Sequence, residues 1–228
     1  MAAHPRFGNL ALAFTDASAT LLKPLAWHGD LSLGPFREGQ VTLQRLDGNP
    51  RWTGLPDLDE AGRRAIEAYL RAYSPASADN LQYWLGEGLG VRRALIRQWI
   101  ARFGGRLCTV EVDAEPRLVL REDVDDLAAT RPTSAVRLLP KYDQRVLGPG
   151  TADVHVVPAE VRSDVGRGAN VVVVGGVVAG TWSLSGHAVV TSWAHDAAIP
   201  APDDLDTEVA RLAEIVGRPL HWSAAGAT

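Results

Sequence analysis

Apolar residues recur at helical spacing between positions 59 and 73, where DEAGRRAIEAYLRAY lines up Ile66, Tyr69, Leu70 and Tyr73 in one stripe. That period marks an amphipathic helix. Ser74-Pro75 stops it, because proline has no amide to continue the ladder. A shorter helix is predicted over ASADNLQYWLG, opened by Ser77 as N-cap and closed at Gly86. A serine hydroxyl accepts from the first free amides, and glycine takes the left-handed conformation that ends helices. A third helix, GVRRALIRQWIARF, runs from about Gly90 to Phe103 and stops at Gly104-Gly105. The pattern then changes: RLCTVEV (106–112) and RLVLR (117–121) read as strands, with DAEP as the turn between them. Three helices followed by a hairpin is the element order of a winged helix, a helix-turn-helix variant whose hairpin forms the wing.

The preceding segment repeats the second half of that order. SATLLKPLAWH (18–28) is helical, DLSLG and QVTLQRL (40–46) are strand-like, and Pro35 to Gly39 form the turn. Pro24 must either kink that helix or lie in its first turn. Residues 1–55 therefore read as a partial winged helix, beginning partway through a domain, and residues 56–125 as a winged helix. Beyond 121 an acidic stretch, EDVDDLAA, leads to TRPTSAVRLLPKYDQRVLGPG. NVVVVGGVVAGTWSLSGHAVVTSW then supplies two or three strands, with Gly175-Gly176 as a hairpin turn. A last helix, DDLDTEVARLAEIVG (203–217), places Leu205, Val209, Leu212 and Val216 on one face and closes at Gly217. The tail GRPLHWSAAGAT is expected to be partly disordered. The predicted class is α+β: tandem winged-helix units, the first incomplete, followed by a β-rich unit (126–228) with a terminal helix.

Composition narrows the chemistry. Hydrophobic residues make up 46% and charged residues 22%, ordinary for a globular protein. No apolar run approaches the roughly 20 residues that span a bilayer, so no membrane association is expected. The N-terminus is weak as a secretory signal, which points to the cytoplasm. Cys108 is the single cysteine, so an internal disulfide and an all-cysteine metal site are excluded. Alternating with Leu107 and Thr109, it reads as a buried structural thiol rather than a nucleophile. The six histidines show no HxxxH spacing, and neither metal nor cofactor is expected. VVGGVVAG lacks the spacing of a dinucleotide or phosphate loop and is better explained as a hairpin.

The formal charge of -4 argues against indiscriminate binding of polyanions, so any DNA contact needs a local basic stripe. The third helix offers one. At about 100° per residue, Leu95, Ile96, Trp99 and Phe103 fall on one side and Arg93, Arg97 and Gln98 on the other. Arg93 and Arg97, one turn apart, can reach successive phosphates or a guanine edge, and Gln98 has the bidentate geometry adenine accepts. A merely solvated arginine face fits the same pattern. Arg92 falls on the apolar side unless it precedes the first full turn. Upstream, Lys23, Trp27 and His28 lie on the helix, and Arg37, Gln40 and Arg45 lie on or near the hairpin. Its tip, GPFREGQ, pairs Phe36 with a cation in a way suited to a minor groove, although Phe36 is equally suited to packing beneath a loop. The predicted partner is double-stranded DNA, held by Lys23, His28, Arg37, Gln40, Arg45, Arg93, Arg97 and Gln98.

Several segments together resemble one family. LLKPLAWHGDLSLGPFREGQVTLQRL resembles the recognition helix and wing of the second winged helix in AlkZ/YcaQ-like proteins. RLLPKYDQRVLG and GGVVAGTW resemble that family's "LLP-aromatic-Asp" and "VxGTW" segments. The resemblance covers nearly the whole chain and implies a bacterial DNA-repair protein. Complete members of the family excise alkylated bases and unhook interstrand crosslinks by hydrolysing the N-glycosidic bond. Their chemistry is assigned to a Gln-x-Gln or Gln-x-Asp pair in the first winged helix, which positions water against an oxocarbenium-like sugar. No such pair stands in a matching context here; the nearest look-alike, Thr42-x-Gln44, falls in the second unit's wing. The expectation is therefore a DNA-binding protein with no assigned catalytic residue. A working glycosylase and a protein-interaction module are the alternatives. Asp143, in the family-like segment, either shapes a site or, as preferred here, caps the adjacent turn.

Overall fold

The computed structural model describes residues 22–224, and the chain divides into two compact units, Met1–Ala61 and Gly62–Thr228. In the first unit, helix α1 (Lys23–Trp27) carries Pro24 in its first turn, where a missing amide costs nothing. The part of the predicted helix before residue 22 lies outside the described residues. Strands β1 (Leu31–Leu33) and β2 (Leu43–Arg45) pair antiparallel, with Leu31 opposite Arg45 and Leu33 opposite Leu43. Backbone bonds carry the ladder outward. The Gly34 amide donates to the Thr42 carbonyl at 2.8 Å, and Arg37 and Gln40 exchange bonds of 3.1 and 2.8 Å. The turn thus shrinks to Glu38-Gly39, both left-handed (φ 50° and 75°), as a two-residue hairpin turn requires. Gly29 is the one buried position among this unit's described residues. A Cβ there would lie 2.6 Å from the Trp52 ring.

Helix α2 (Leu58–Tyr73) turns Ile66, Tyr69 and Leu70 inward, as its period predicts. Gly62 on the same face lets Trp99 approach; a Cβ at Gly62 would sit 2.2 Å from the indole. Helix α3 (Ala78–Leu81) is capped reciprocally: the Ser77 hydroxyl accepts the Asn80 amide at 3.0 Å, and the Asn80 side chain accepts the Ser77 amide at 2.7 Å. It continues as a π-helical turn over Gln82–Glu87 rather than closing at Gly86. Helix α4 (Arg93–Arg102) buries Ile96 and Trp99, with buried Phe103 just beyond it. Strands β3 (Leu107–Val112) and β4 (Glu115–Leu120) form the predicted hairpin. Its turn is only Asp113-Ala114 (φ 49° and 64°), so Glu115 and Pro116 belong to the strand. Ala76 and Leu118 exchange backbone bonds of 3.1 and 2.7 Å, fastening the hairpin to the segment between α2 and α3.

The acidic stretch forms a short helix, α5 (Val124–Ala129). After it come β5 (Val136–Leu139), α6 (Gln144–Leu147), α7 (Arg162–Gly166), β6 (Asn170–Val174), β7 (Val177–Ser185), β8 (Ala188–Trp193), α8 (Pro202–Val216) and β9 (His221–Ala224). The sheet is ordered β5-β6-β7-β8-β9: the 170–193 segment, predicted to hold two or three strands, supplies three, and β5 and β9 join them from segments not read as strands. Gly175-Gly176 forms the expected hairpin between β6 and β7. All pairs are antiparallel except β8 with β9, which the α8 crossover makes parallel. The tail, expected to be partly disordered, forms this edge strand over 221–224, and the Trp222 indole donates to Thr191 Oγ1 at 3.0 Å.

Helix α8 contacts both edge strands, β5 and β9, and buries Leu205, Val209 and Leu212. Val216 is 41% exposed and leaves the predicted face at the last turn. Glu208, only 2% exposed, lies on that face. Its carboxylate accepts the Leu138 amide at 2.8 Å and two Arg211 donors at 2.7 and 2.6 Å, the pairing a buried charge needs. Val146, Val157, Val161 and Val165 gather around Val171 and Val178 in a separate apolar cluster. The result is a mixed α+β fold.

Candidate nucleic-acid interface

On α4 the inward positions Ile96 and Trp99 are buried and Leu95 half-buried, while Arg93, Arg97 and Gln98 are exposed. The amphipathic division predicted for this helix is present. Arg92, exposed, is the N-cap residue and precedes the first turn. The Arg93 guanidinium lies 3.3 Å from Asp79, both side chains being largely exposed. Such pairs are worth less than about 1 kcal/mol, so a phosphate can displace Asp79. Arg97 and Gln98 have no side-chain partner among the described residues.

The other five candidates lie in the first unit. Lys23 opens α1, and His28 is its exposed C-cap residue. Arg37 and Gln40 face each other across the hairpin turn. Arg45, in β2, pairs with Asp47 through two contacts, one of them Nε to Oδ1 at 3.1 Å. His28 and Arg45 share a concavity of about 350 Å³ with Gly29, Asp30 and Trp52. Phe36 is 70% exposed and does not pack beneath a loop.

Beside Arg93 lies a polar cluster that sequence reading missed. Arg117 of β4 is 6% exposed. Its guanidinium meets Asp153 at 3.1 Å, Glu115 at 2.9 Å, Asn80 Oδ1 at 3.0 Å and His155 Nδ1 at 3.0 Å. Asn80 also donates to Asp153 at 2.9 Å and to the Pro149 carbonyl at 2.6 Å. His155 Nε2 reaches Asp113 at the hairpin turn, 3.2 Å away. Burial pushes the Asp153 carboxyl up, but the bonds from Asn80, His155 and Arg117 outweigh it and hold the group below the usual carboxylate range. Asn80, Glu115, Arg117, Asp153 and His155 line, with Arg93, a cavity of about 730 Å³. The cluster anchors the 149–155 loop to α3 and β4. Only the Ser77/Asn80 cap carried a sequence signal; the partners of Arg117 lie in a loop without periodicity.

The two family-like segments meet on the sheet. The Trp182 indole donates to the Leu139 carbonyl at 2.9 Å, and Asn170 accepts the Lys141 amide at 2.9 Å. Asp143 caps α6, accepting the Arg145 amide at 2.8 Å, as its preferred reading requires. Cys108 is half-buried, its thiol 3.8 Å from the Val119 carbonyl. Among the described residues no group of three His, Cys, Asp or Glu side chains is placed to hold a metal ion, and no helix is long and apolar enough to cross a membrane.

Residues 13–225 match the family model described as DNA glycosylase AlkZ-like. The chain is 37% identical over 190 residues to an interstrand DNA cross-link repair glycosylase of Streptomyces sahachiroi, an alignment covering 81% of this chain and 51% of that protein. The solved structure of S. sahachiroi DNA glycosylase AlkZ superposes with a TM-score of 0.83 at 33% identity, over 98% of this chain and 62% of that one. The chain thus spans about half the length of the curated relative it matches.

Proposed function

The chain belongs to the AlkZ-like family of DNA glycosylases, and from that premise we propose that it supplies duplex-DNA binding to the repair of crosslinked or alkylated DNA. In this reading residues 1–55 are a partial winged helix and residues 56–125 a winged helix, with α4 as recognition helix and β3–β4 as wing. Residues 126–228 are the attached α+β unit. The observation that carries it is the α4 face: Arg93, Arg97 and Gln98 stand exposed while Ile96 and Trp99 are buried. The helix is anchored by one side and presents two guanidinium groups and an amide on the other. Lys23, His28, Arg37, Gln40 and Arg45 supply a second set of contacts from the first unit. Base excision is not assigned to this chain's residues, since none of its glutamines begins a Gln-x-Gln or Gln-x-Asp pair.

Fluorescence anisotropy with a short labelled duplex tests the reading. Affinity should fall steeply with salt, as phosphate contacts dictate. Arg93→Ala with Arg97→Ala should weaken binding by roughly tenfold and flatten the salt slope by about two contacts. Binding indifferent to both substitutions would sink it. The relative's name favours a second reading, a working glycosylase. Abasic sites formed in DNA carrying an N7-alkylated guanine would establish that reading; intact DNA leaves binding alone.

A further inference from the structure

Four residues other than glycine adopt a left-handed backbone among the described residues, and three of them, Glu38, Asp113 and Ala114, occupy two-residue hairpin turns that require it. The fourth, Tyr142 (φ 63°), does not. It follows Pro140-Lys141 in a turn closed by the Asp143 amide on the Pro140 carbonyl at 3.3 Å, a position that ordinarily selects glycine or asparagine. The strain is not offset by burial, for Tyr142 is 56% exposed. A bulky side chain held in an unfavourable backbone conformation at the surface marks a functional constraint.

Its surroundings indicate which one. Gly168 leaves room for the ring; a Cβ there would lie 2.6 Å from the tyrosine oxygen. The Lys141 ammonium, one of two lysines in the chain, sits 6.0 Å from the ring centroid. The bond from the Lys141 amide to Asn170 fixes the corner against β6. Alongside opens a concavity of about 560 Å³ lined by Lys141, Asn170, Thr181, Ser183 and Ser192. Thr181 and Ser192 face each other across β7 and β8, and the three hydroxyls have no side-chain hydrogen bond among the described residues. The nearest acid in sequence, Asp143, is committed to its cap.

An exposed aromatic face, an adjacent ammonium and a strip of free hydroxyls suit a base that is not paired: the ring stacks, the ammonium meets phosphate, and the hydroxyls meet sugar or base edges. We infer that the Lys141–Tyr142 corner and this concavity hold an unpaired nucleotide of a DNA strand. The inference rests on DNA being the partner, as proposed above, but concerns a site separate from the α4 face.

Anisotropy with the full chain distinguishes the two, using a fully paired duplex and the same duplex with one bulged thymidine. The wild type should prefer the bulged duplex, and Tyr142→Ala or Lys141→Ala should reduce that preference by about tenfold while leaving paired-duplex affinity unchanged. Tyr142→Phe should keep the preference. Tyr142→Gly removes the ring and the strain together, so it should lose the preference with an unchanged or raised melting temperature, which separates lost binding from lost folding. A wild type that binds both duplexes equally, or a preference that survives Tyr142→Gly, overturns the site and leaves the α4 reading standing. Thymidine 5′-phosphate displacing the bulged duplex at equal concentration overturns the assignment to a DNA strand in favour of a free nucleotide. Failure to bind either duplex overturns both proposals.

Discussion

The β1–β2 and β3–β4 hairpins share one local design and differ in what lies beneath them. Each follows a helix and turns on two left-handed residues, Glu38-Gly39 in one and Asp113-Ala114 in the other. The β3–β4 hairpin puts Leu120 into the core of α2, α3 and α4 with Leu118 packed against it, exchanges backbone bonds with Ala76, and sends Arg117 into the Asn80–Asp153 cluster. The β1–β2 hairpin leaves Leu33, Phe36, Val41 and Leu43 exposed. Turn chemistry sets hairpin geometry, whereas stability comes from the surface against which a hairpin is laid. The stability of the described residues therefore resides in the second unit.

The largest test of that difference compares two tryptophans. Trp99 is buried against Gly62 and Ile66, so Trp99→Ala should cost about 3–5 kcal/mol. Trp52, half-buried over Gly29, anchors the other hairpin, and Trp52→Ala should cost about 1 kcal/mol. Urea unfolding followed by far-ultraviolet circular dichroism reads both. Equal losses would mean that the first unit holds a core of its own and would end the comparison.

The same contrast explains what could be read in advance. The α2 stripe, the Ser77 cap, the inward face of α4, the Gly175-Gly176 turn and most of α8 are local, each fixed by residues within a few positions of one another. Other features depend on pairing across long stretches of chain. β5 is four residues whose partner strand begins more than thirty positions later. β9 becomes a strand only because the α8 crossover lays it beside β8. Arg117 looks like an ordinary strand residue until Asp153 and His155 arrive from a loop. Glu208 breaks the apolar stripe of α8 because a backbone amide of β5 and Arg211 await it. Of the candidate contacts, helical period placed Arg93, Arg97 and Gln98 on one exposed face. The Tyr142 corner had no such signal, because a positive φ at tyrosine is a tertiary fact.

Acid should act on the second unit. Burial pushes the Glu208 carboxyl up, yet the Arg211 pair and the Leu138 amide outweigh it and hold the group below its usual 4.5; Asp153 likewise stands below its usual 3.8. For groups depressed on folding, the stabilisation is complete above the unfolded value and disappears as pH falls through the folded one. The melting temperature should therefore hold between pH 7 and 5 and drop below about 4.5. Glu208→Gln should lower it at pH 7 and make the acid limb shallower. An acid limb of unchanged slope in Glu208→Gln would show that other carboxylates carry the effect.

The smallest expected change is the most discriminating for the first hairpin. Phe36 stands beside a hydrogen-bonded tip: Thr42 Oγ1 donates to the Pro35 carbonyl at 2.5 Å, and the Arg37–Gln40 bonds close the turn behind it. With 70% of its surface in solvent, the ring has little burial to lose, and Phe36→Ala should move stability by no more than about 0.5 kcal/mol. Leu33→Ala, at a comparably exposed site on the same hairpin, should behave alike. Insertion of the Phe36 ring into a minor groove, the role its hairpin tip suits, predicts that Phe36→Ala still weakens duplex binding severalfold, because a wedge acts only when DNA is present. Urea unfolding and duplex anisotropy on this one variant thus report separately on packing and recognition. A loss of 2 kcal/mol or more, the scale of a buried core residue, would place Phe36 in a core and make the two hairpins alike.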